Sequence, residues 1–310
     1  MATGLGLGMW TATLRGARIG LKADDISNLF FWIIIGGIVG AKLLYVINHW
    51  DGKEPLKNLI LDRSGLVFHG ALIGTTVAIL IFTRKKKMPL WGTFDTLAPS
   101  FSLGHALGRI GCLMTSCCYG KPCSLPWAVQ FPKDSMPYTS HVKQEFIEQS
   151  ATHSLHIHPT QIYESLLNFT LYGILAWLFR NRKFDGQIIA SYILGYAGLR
   201  FFMEFLRGDN RGRLWFDSIT SGQGISILLL IGGGVLWWRL ARQKPDELEI
   251  AKKHYEDALE ALRVEGGKDN KIAALKAGRN YADVARKYAG SSGRSIFDEV
   301  ALQNDLSAYE

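Results

Sequence analysis

The sequence predicts an all-α integral membrane protein, a bundle of about six to seven transmembrane helices with a small extracytoplasmic head and a cytoplasmic helical tail. Three observations carry that expectation. Long apolar runs fill the first 238 residues, where only 22 Lys/Arg and 14 Asp/Glu occur. The remaining 72 residues, Arg239 to Glu310, hold 13 charges of each sign, so the whole formal charge of +8 sits in the first part. Basic residues gather in the short gaps between alternate apolar runs, the asymmetry that orients spans in a bilayer. The overall composition, 48% hydrophobic and 20% charged, is therefore an average over two unlike regions. A compact two-domain soluble enzyme is excluded, as is disorder over most of the chain. No Lys/Arg stripe with interleaved aromatics appears on a soluble segment, so the basic excess is assigned to lipid headgroups and no nucleic-acid partner is expected.

A hydrocarbon core about 30 Å thick needs roughly 20 apolar residues in a helix. Residues 2–14 are apolar and uncharged but too short to span alone. With no basic stretch ahead of them they do not read as a signal peptide, but as the last part of a seventh helix. Six longer runs follow. They are Ile26 to about Asn48, interrupted by Lys42; Gly65 to Thr83; and Met88 to Met114, which holds Asp95, His105 and Arg109. After a polar stretch come Gln161 to Phe179, Gly186 to Leu206 and Ile219 to Trp238. The dense basic loops are Arg15, Arg18 and Lys22; Arg84 to Lys87; Arg180, Arg182 and Lys183; and Arg239, Arg242 and Lys244. Placed in the cytoplasm, they put the N-terminus and the segment from about Thr115 to His158 outside and the tail inside. The expected organisation is a membrane body over residues 1–240, with a head inserted at about 115–158, and a charged tail over 241–310. Within the head, Trp127 to Phe131 has a strand-like pattern. The tail reads as two amphipathic helices, Asp246 to Arg263 and Lys271 to Tyr288, joined at Gly266 to Asn270. A solvated hairpin is the first reading of that tail, and a dock for an unknown cytoplasmic partner the second.

Ionisable groups within spans are costly and mark function by default. Here they are Lys42, His69, Asp95, His105, Arg109, Glu164, Arg200 and Glu204. Cations outnumber carboxylates among them, which calls for an anionic ligand. Arg109 and Arg200 suit a phosphate, because a guanidinium offers a planar fork of donors and keeps its charge. The structural alternative pairs Arg200 with Glu204 one turn on and Arg109 with Asp95. His69 has the chemistry of a proton acceptor near neutral pH, against the alternative of a hydrogen-bonded core residue. His158-Pro159-Thr160-Gln161-Ile162-Tyr163-Glu164 opens a helix after a proline and presents Gln161, Tyr163 and Glu164 near the outer interface. Helix capping is the plainer reading for Thr160 and Glu164.

These residues fall into a pattern. Phe68-His69-Gly70-Ala71-Leu72-Ile73-Gly74, Asp95-Thr96-Leu97-Ala98-Pro99 and Gly108-Arg109-Ile110-Gly111 precede Tyr119-Gly120-Lys121-Pro122 and Pro126-Trp127-Ala128-Val129. The His158 to Glu164 stretch, Tyr196-Ala197-Gly198-Leu199-Arg200-Phe201 and Glu204-Phe205-Leu206-Arg207 follow. Over roughly residues 15 to 240 the chain resembles the prolipoprotein diacylglyceryl transferases, seven-helix enzymes of the bacterial cytoplasmic (inner) membrane. The resemblance implies transfer of the diacylglyceryl group of phosphatidylglycerol to the lipobox cysteine of a prolipoprotein signal peptide, with release of glycerol phosphate. It implies that Arg109 and Arg200 hold the lipid phosphate and that His69 is a base or orienting group for the thiol. Tyr196, Glu204, Gly120 and Asp95 match further positions linked to activity or to the cavity. A thiolate nucleophile and arginines on a departing phosphate suffice for such chemistry, so no metal or cofactor is expected. The partners expected are phosphatidylglycerol, prolipoprotein signal peptides and membrane lipids.

The chain departs from that family at several points. Its N-terminal residues lack the family's tyrosine-bearing segment, and Lys42 stands where an arginine is usual. After Gly111 the family pattern has Asn and, five residues on, Glu; here those places hold Cys112 and Cys117. All four cysteines, Cys112, Cys117, Cys118 and Cys123, fall in one window. With His153, His156 and His158 on the same outer segment a zinc site is one alternative, though the cysteine spacing matches no common zinc knuckle; an extracytoplasmic place favours a disulfide of Cys117 or Cys118 with Cys123, and buried free thiols complete the alternatives. Two other functions stand beside the transferase. A lipid or anion transporter predicts repeated halves with interrupted helices, which the sequence lacks; a catalytically degenerate paralogue would bind lipid or lipoprotein precursors without transfer.

Overall fold

The computed structural model describes residues 2–50, 59, 65, 67–209, 213–214, 219–242, 246–265 and 268–292. Ten helices and one short ribbon occur among them: α1 (Ala2–Ala17), α2 (Ala23–His49), α3 (Phe68–Lys86), α4 (Leu90–Met114), α5 (Met136–Lys143), α6 (Thr160–Arg180), α7 (Gln187–Leu206), β1 (Arg213–Leu214), β2 (Ile219–Thr220), α8 (Ser221–Arg242), α9 (Asp246–Glu265) and α10 (Lys268–Ser292). β1 and β2 run antiparallel, with Arg213 opposite Thr220 and Leu214 opposite Ile219. Four of the helices, α2, α6, α7 and α8, are long and apolar enough to cross a membrane. The runs expected to span as α3 and α4 are helical too, but α3 ends in Arg84, Lys85 and Lys86 and α4 carries Pro99 and several polar side chains. At 16 residues α1 is about 24 Å long, short of a bilayer core. Lys244, residues 266–267 of the expected tail joint and the tail beyond Ser292 lie outside the described residues.

The chain forms two compact units, residues 9–93 and residues 1–8 with 94–310. In the first, α2 packs on α3 along glycines spaced four apart on both helices, Gly36 and Gly40 against Gly70 and Gly74. A Cβ on Gly40 would collide with the Gly70 carbonyl, and one on Gly74 with the Gly36 carbonyl. Only hydrogen-sized side chains let two helix backbones come this close, the seam that small residues make in lipid. The loop ahead of α3 is tied back to α2: Val67 N–H donates to the Ala41 carbonyl at 3.2 Å, and Lys42 Nζ to the Gly65 carbonyl at 3.4 Å.

In the second unit α7 packs on both α6 and α8. Hydroxyls stitch α4 to α6, with Ser102 Oγ donating to the Asn168 carbonyl and Ser165 Oγ to the Ala106 carbonyl, both at 2.9 Å. Between α4 and α6 the chain folds around Tyr119, Phe131 and Ile157, with Leu113 and Val129 against them. The strand-like Trp127–Phe131 stretch forms isolated bridges there, Val129 with Ile157 and, just beyond it, Pro132 with His153. Prolines on either side deny it a longer ladder. Ser135 caps α5 by accepting from Tyr138 N–H, and Pro137 sits in the first turn. The tail is a helical hairpin in which Tyr255 and Tyr281 stack with ring centroids 5.8 Å apart.

Candidate active site

Five of the polar groups expected within spans, His105, Arg109, Glu164, Arg200 and Glu204, converge in the second unit. Arg109, near the end of α4, sits 2.7 Å from Glu164 Oε2 on α6 through its Nε, which also donates to His105 Nε2 at 3.1 Å. Arg200 Nη2 lies 2.6 Å from Glu204 Oε2, one turn along α7. Tyr196 joins them, its ring 5.3 Å from the His105 ring. It lies within electrostatic reach of Arg200, Arg109, Glu164 and Arg207. All of these side chains are buried or largely so, which is where ion pairs are least screened. A narrow cleft between α6 and α7 is lined by Glu164, Asn168, Tyr196 and Arg200. Arg200 Nη1 is buried with no hydrogen-bond partner among the described residues.

Arg207 completes the network; sequence reasoning named it only as the end of the Glu204–Arg207 motif and gave it no role at the site. At the C-cap of α7, its Nη1 donates to Glu164 Oε1 at 3.1 Å, while Nε and Nη2 clasp both Asp209 oxygens at 2.9 and 2.7 Å. Bidentate Asp209 and the Glu164 charge raise its pKa against the opposing effect of burial. The signal that could have found it was its place in the same motif as Glu204. Three arginines thus face Glu164, Glu204 and Asp209, so the expected excess of positive charge is corrected to a nearly balanced cluster. The alternative pairing of Arg109 with Asp95 is not formed.

Asp95, expected among the substrate-binding residues, is not brought to this cluster. Its carboxyl accepts from the backbone N–H of Gly186, Ile188 and Ile189 at 2.8, 3.0 and 2.9 Å, capping the start of α7. Fourteen residues of helix, about 21 Å, separate it from Arg109 along α4. Gln161 also takes up a supporting place: it is 1% exposed and its Nε2 donates to the Cys117 carbonyl at 2.8 Å. Tyr163 accepts on its hydroxyl from Trp127 Nε1 at 2.6 Å, on the side of the 115–158 segment. Gly120 sits where two backbones meet. It bridges to Arg207, and a Cβ there would meet the His158 carbonyl and side chain. Lys121 N–H to the Leu206 carbonyl (2.8 Å) and Gly208 N–H to the Tyr119 carbonyl (3.0 Å) flank the bridge. Gly120 therefore positions Arg207 through the backbone. His69 belongs to the other unit, exposed in the first turn of α3 beside Phe68.

The cysteine alternatives separate as well. None of the four is in a disulfide, and the thiols of Cys112, Cys117 and Cys118 cluster without Cys123, so the expected disulfide to Cys123 is not formed. The Cys118 thiol is held below the ordinary range, first by a hydrogen bond from Cys112 and then by the Arg207 guanidinium, against the effect of burial.

Helices apolar enough to cross a membrane around a buried arginine and carboxylate network define a helical membrane protein whose polar centre marks a functional site. The chain belongs to the prolipoprotein diacylglyceryl transferase family, whose pattern matches residues 1–239. A phosphatidylglycerol–prolipoprotein diacylglyceryl transferase of Clostridium tetani is 36% identical over 223 residues, covering 71% of this chain and 82% of its own. That of Synechococcus elongatus is 32% identical, over 81% and 86%, and that of Halalkalibacterium halodurans 33% identical, over 86% and 88%.

Proposed function

We propose that this chain is a phosphatidylglycerol–prolipoprotein diacylglyceryl transferase. The reaction breaks the bond between the glyceryl C3 of the diacylglyceryl group and its phosphate oxygen and forms a thioether to the lipobox cysteine sulfur. The thiol proton goes to a base and glycerol phosphate leaves. Arg109 and Arg200 hold the phosphate and take up the charge that develops as it departs. The observation that carries this assignment is Nη1 of Arg200, buried and without a hydrogen-bond partner among the described residues, on a side chain that lines the cleft beside the Arg109–Glu164 pair. Tyr196 and Glu204 orient Arg200, and Glu164 with Arg207 orients Arg109. His69 is the base or orienting group for the thiol, a role supported by its exposed imidazole and by the family resemblance. Gly120, Gln161 and Tyr163 act on the lipid or the signal peptide indirectly, through the loop they hold; Asp95 supports the site through α7.

We further read the four apolar helices together with α3 and α4 as six spans, with α1 contributing to a seventh. The 115–158 segment is the extracytoplasmic head and residues 241–310 a cytoplasmic tail, in the bacterial inner membrane. The basic loops support that orientation. Cysteine-scanning with a membrane-impermeant maleimide tests it: labelling at the tail of intact cells would reject it.

For the activity, purified protein is given phosphatidylglycerol and a lipobox peptide, and the thioether-linked diacylglyceryl peptide is measured. Wild type makes the product; Arg109→Ala, Arg200→Ala and His69→Ala lose nearly all of it. Arg→Lys at 109 or 200 also fails, because the planar fork is lost. A wild-type chain that makes no product beside an active relative would overturn the reading.

A further inference from the structure

The thiols of Cys112, Cys117 and Cys118 lie within 4.8 Å of one another. The backbone brings them there by a specific device. At the end of α4, Cys117 N–H donates to the Cys112 carbonyl at 3.0 Å and Ser116 N–H to the Leu113 carbonyl at 3.1 Å, with Ser116 left-handed at φ 57°. This is the Schellman closure of a helix C-terminus, and it folds Cys117 back over the turn that bears Cys112. Cys118, itself at φ 60°, reverses the chain again. Two fully buried side chains at the start of α6 fix the turn from the other side. Thr160 Oγ1 donates to the Cys118 carbonyl and Gln161 Nε2 to the Cys117 carbonyl, both at 2.8 Å. The three residues are half-buried, open enough for a small ion to enter.

We propose that Cys112, Cys117 and Cys118 form a binding site for a thiophilic d10 cation, Zn(II) or Cu(I). Thiolate is the ligand that both ions prefer over carboxylate or water. With metal–sulfur bonds of about 2.3 Å, three sulfurs around one ion sit roughly 3.8 to 4.0 Å apart, so the cluster needs only a small contraction. Groups around the sulfurs suit the role of outer support. Thr115 Oγ1 donates to Cys117 Sγ at 3.4 Å, and the Arg207 guanidinium lies within electrostatic reach of the Cys118 sulfur. Three thiolates leave one negative charge around Zn(II) and two around Cu(I). Arg207, and the nearby charge of Arg109, offset that excess. Cys123 stands outside the cluster and is the internal control.

Full-length protein, reduced under anaerobic conditions in detergent, is titrated separately with Zn(II) and Cu(I) against a competing chelator. The expected result is one ion per chain, bound with a sulfur-to-metal charge-transfer band for Cu(I). Changing support groups alone costs 10–100-fold in other sites, so Cys112→Ser, Cys117→Ser or Cys118→Ser should each weaken binding by at least about 100-fold, while Cys123→Ser binds as wild type. X-ray absorption on the loaded wild type reads the ligands without any variant. Three sulfurs alone identify Cu(I) in a trigonal site, and three sulfurs with one lighter atom identify Zn(II). No stoichiometric binding of either ion, binding undiminished in the three variants, or a first shell without sulfur would each overturn the proposal.

Discussion

Glu164 neutralises two arginines at once, and the arrangement stands or falls on that one carboxylate. Breaking a buried ion pair by removing one partner costs about 3–5 kcal/mol, because the other charge is left uncompensated. Glu164→Gln keeps the shape and removes the charge. It should lower the melting midpoint and abolish transfer, measured by thermal unfolding in detergent and by the peptide assay. Arg207→Lys should lower transfer by at least about tenfold, since an ammonium cannot clasp both Asp209 oxygens and reach Glu164 together. His141, 2% exposed beside Tyr119 and Phe146, accepts from Leu155 N–H through Nδ1, and burial lowers its pKa. The unfolded chain then takes up a proton that the folded one refuses, so stability is full above the ordinary histidine value of about 6.5 and declines as pH falls through it. The melting midpoint should drop from pH 7.5 to 5.5 in wild type and drop less in His141→Gln. At this scale Arg109, Arg200, Glu164 and Glu204 were legible because charges are rare within apolar runs. Arg207 was not, because one residue beyond a span it looks like any loop cation, and only the fold turns it inward.

The glycine seam sets what α2 and α3 can tolerate. Gly40→Val should separate the two backbones, since overpacking alone costs about 1–3 kcal/mol, and the loss would appear as lower yield and a lower melting midpoint of the purified protein. Asp95→Ala tests the cap on α7. Losing a cap costs about 0.5–2 kcal/mol, so stability should fall while the KM for phosphatidylglycerol stays at the wild-type value below the melting range. A changed KM would return Asp95 to the substrate. Helix positions were readable from length and hydropathy, but which end of α7 meets α4 was not. Nothing in a one-dimensional pattern says that Asp95 and Gly186 touch, or that Gln161 spends its amide on the Cys117 carbonyl.

Across the molecule, the two charge regimes seen in the composition correspond to two kinds of element, apolar helices with an internal ion network and a polar helical hairpin in which Tyr255 stacks on Tyr281. A chain ending at Arg242 should therefore keep diacylglyceryl transfer near the wild-type rate, measured on equal amounts of folded protein. Of the six long runs read from the sequence, α2, α6, α7 and α8 are long and apolar enough to cross a membrane, while Asp95, His105 and Arg109 lower the hydropathy of α4. The Asp95 cap has a further consequence, one of timing. Chains emerge N-terminus first, so α4 is made before α7, and the acceptor for the Gly186, Ile188 and Ile189 amides is already present when those donors arrive. Synthesised in the reverse order, α7 would reach the bilayer with three stranded amides, and the cost of biogenesis would rise without any change in the finished fold.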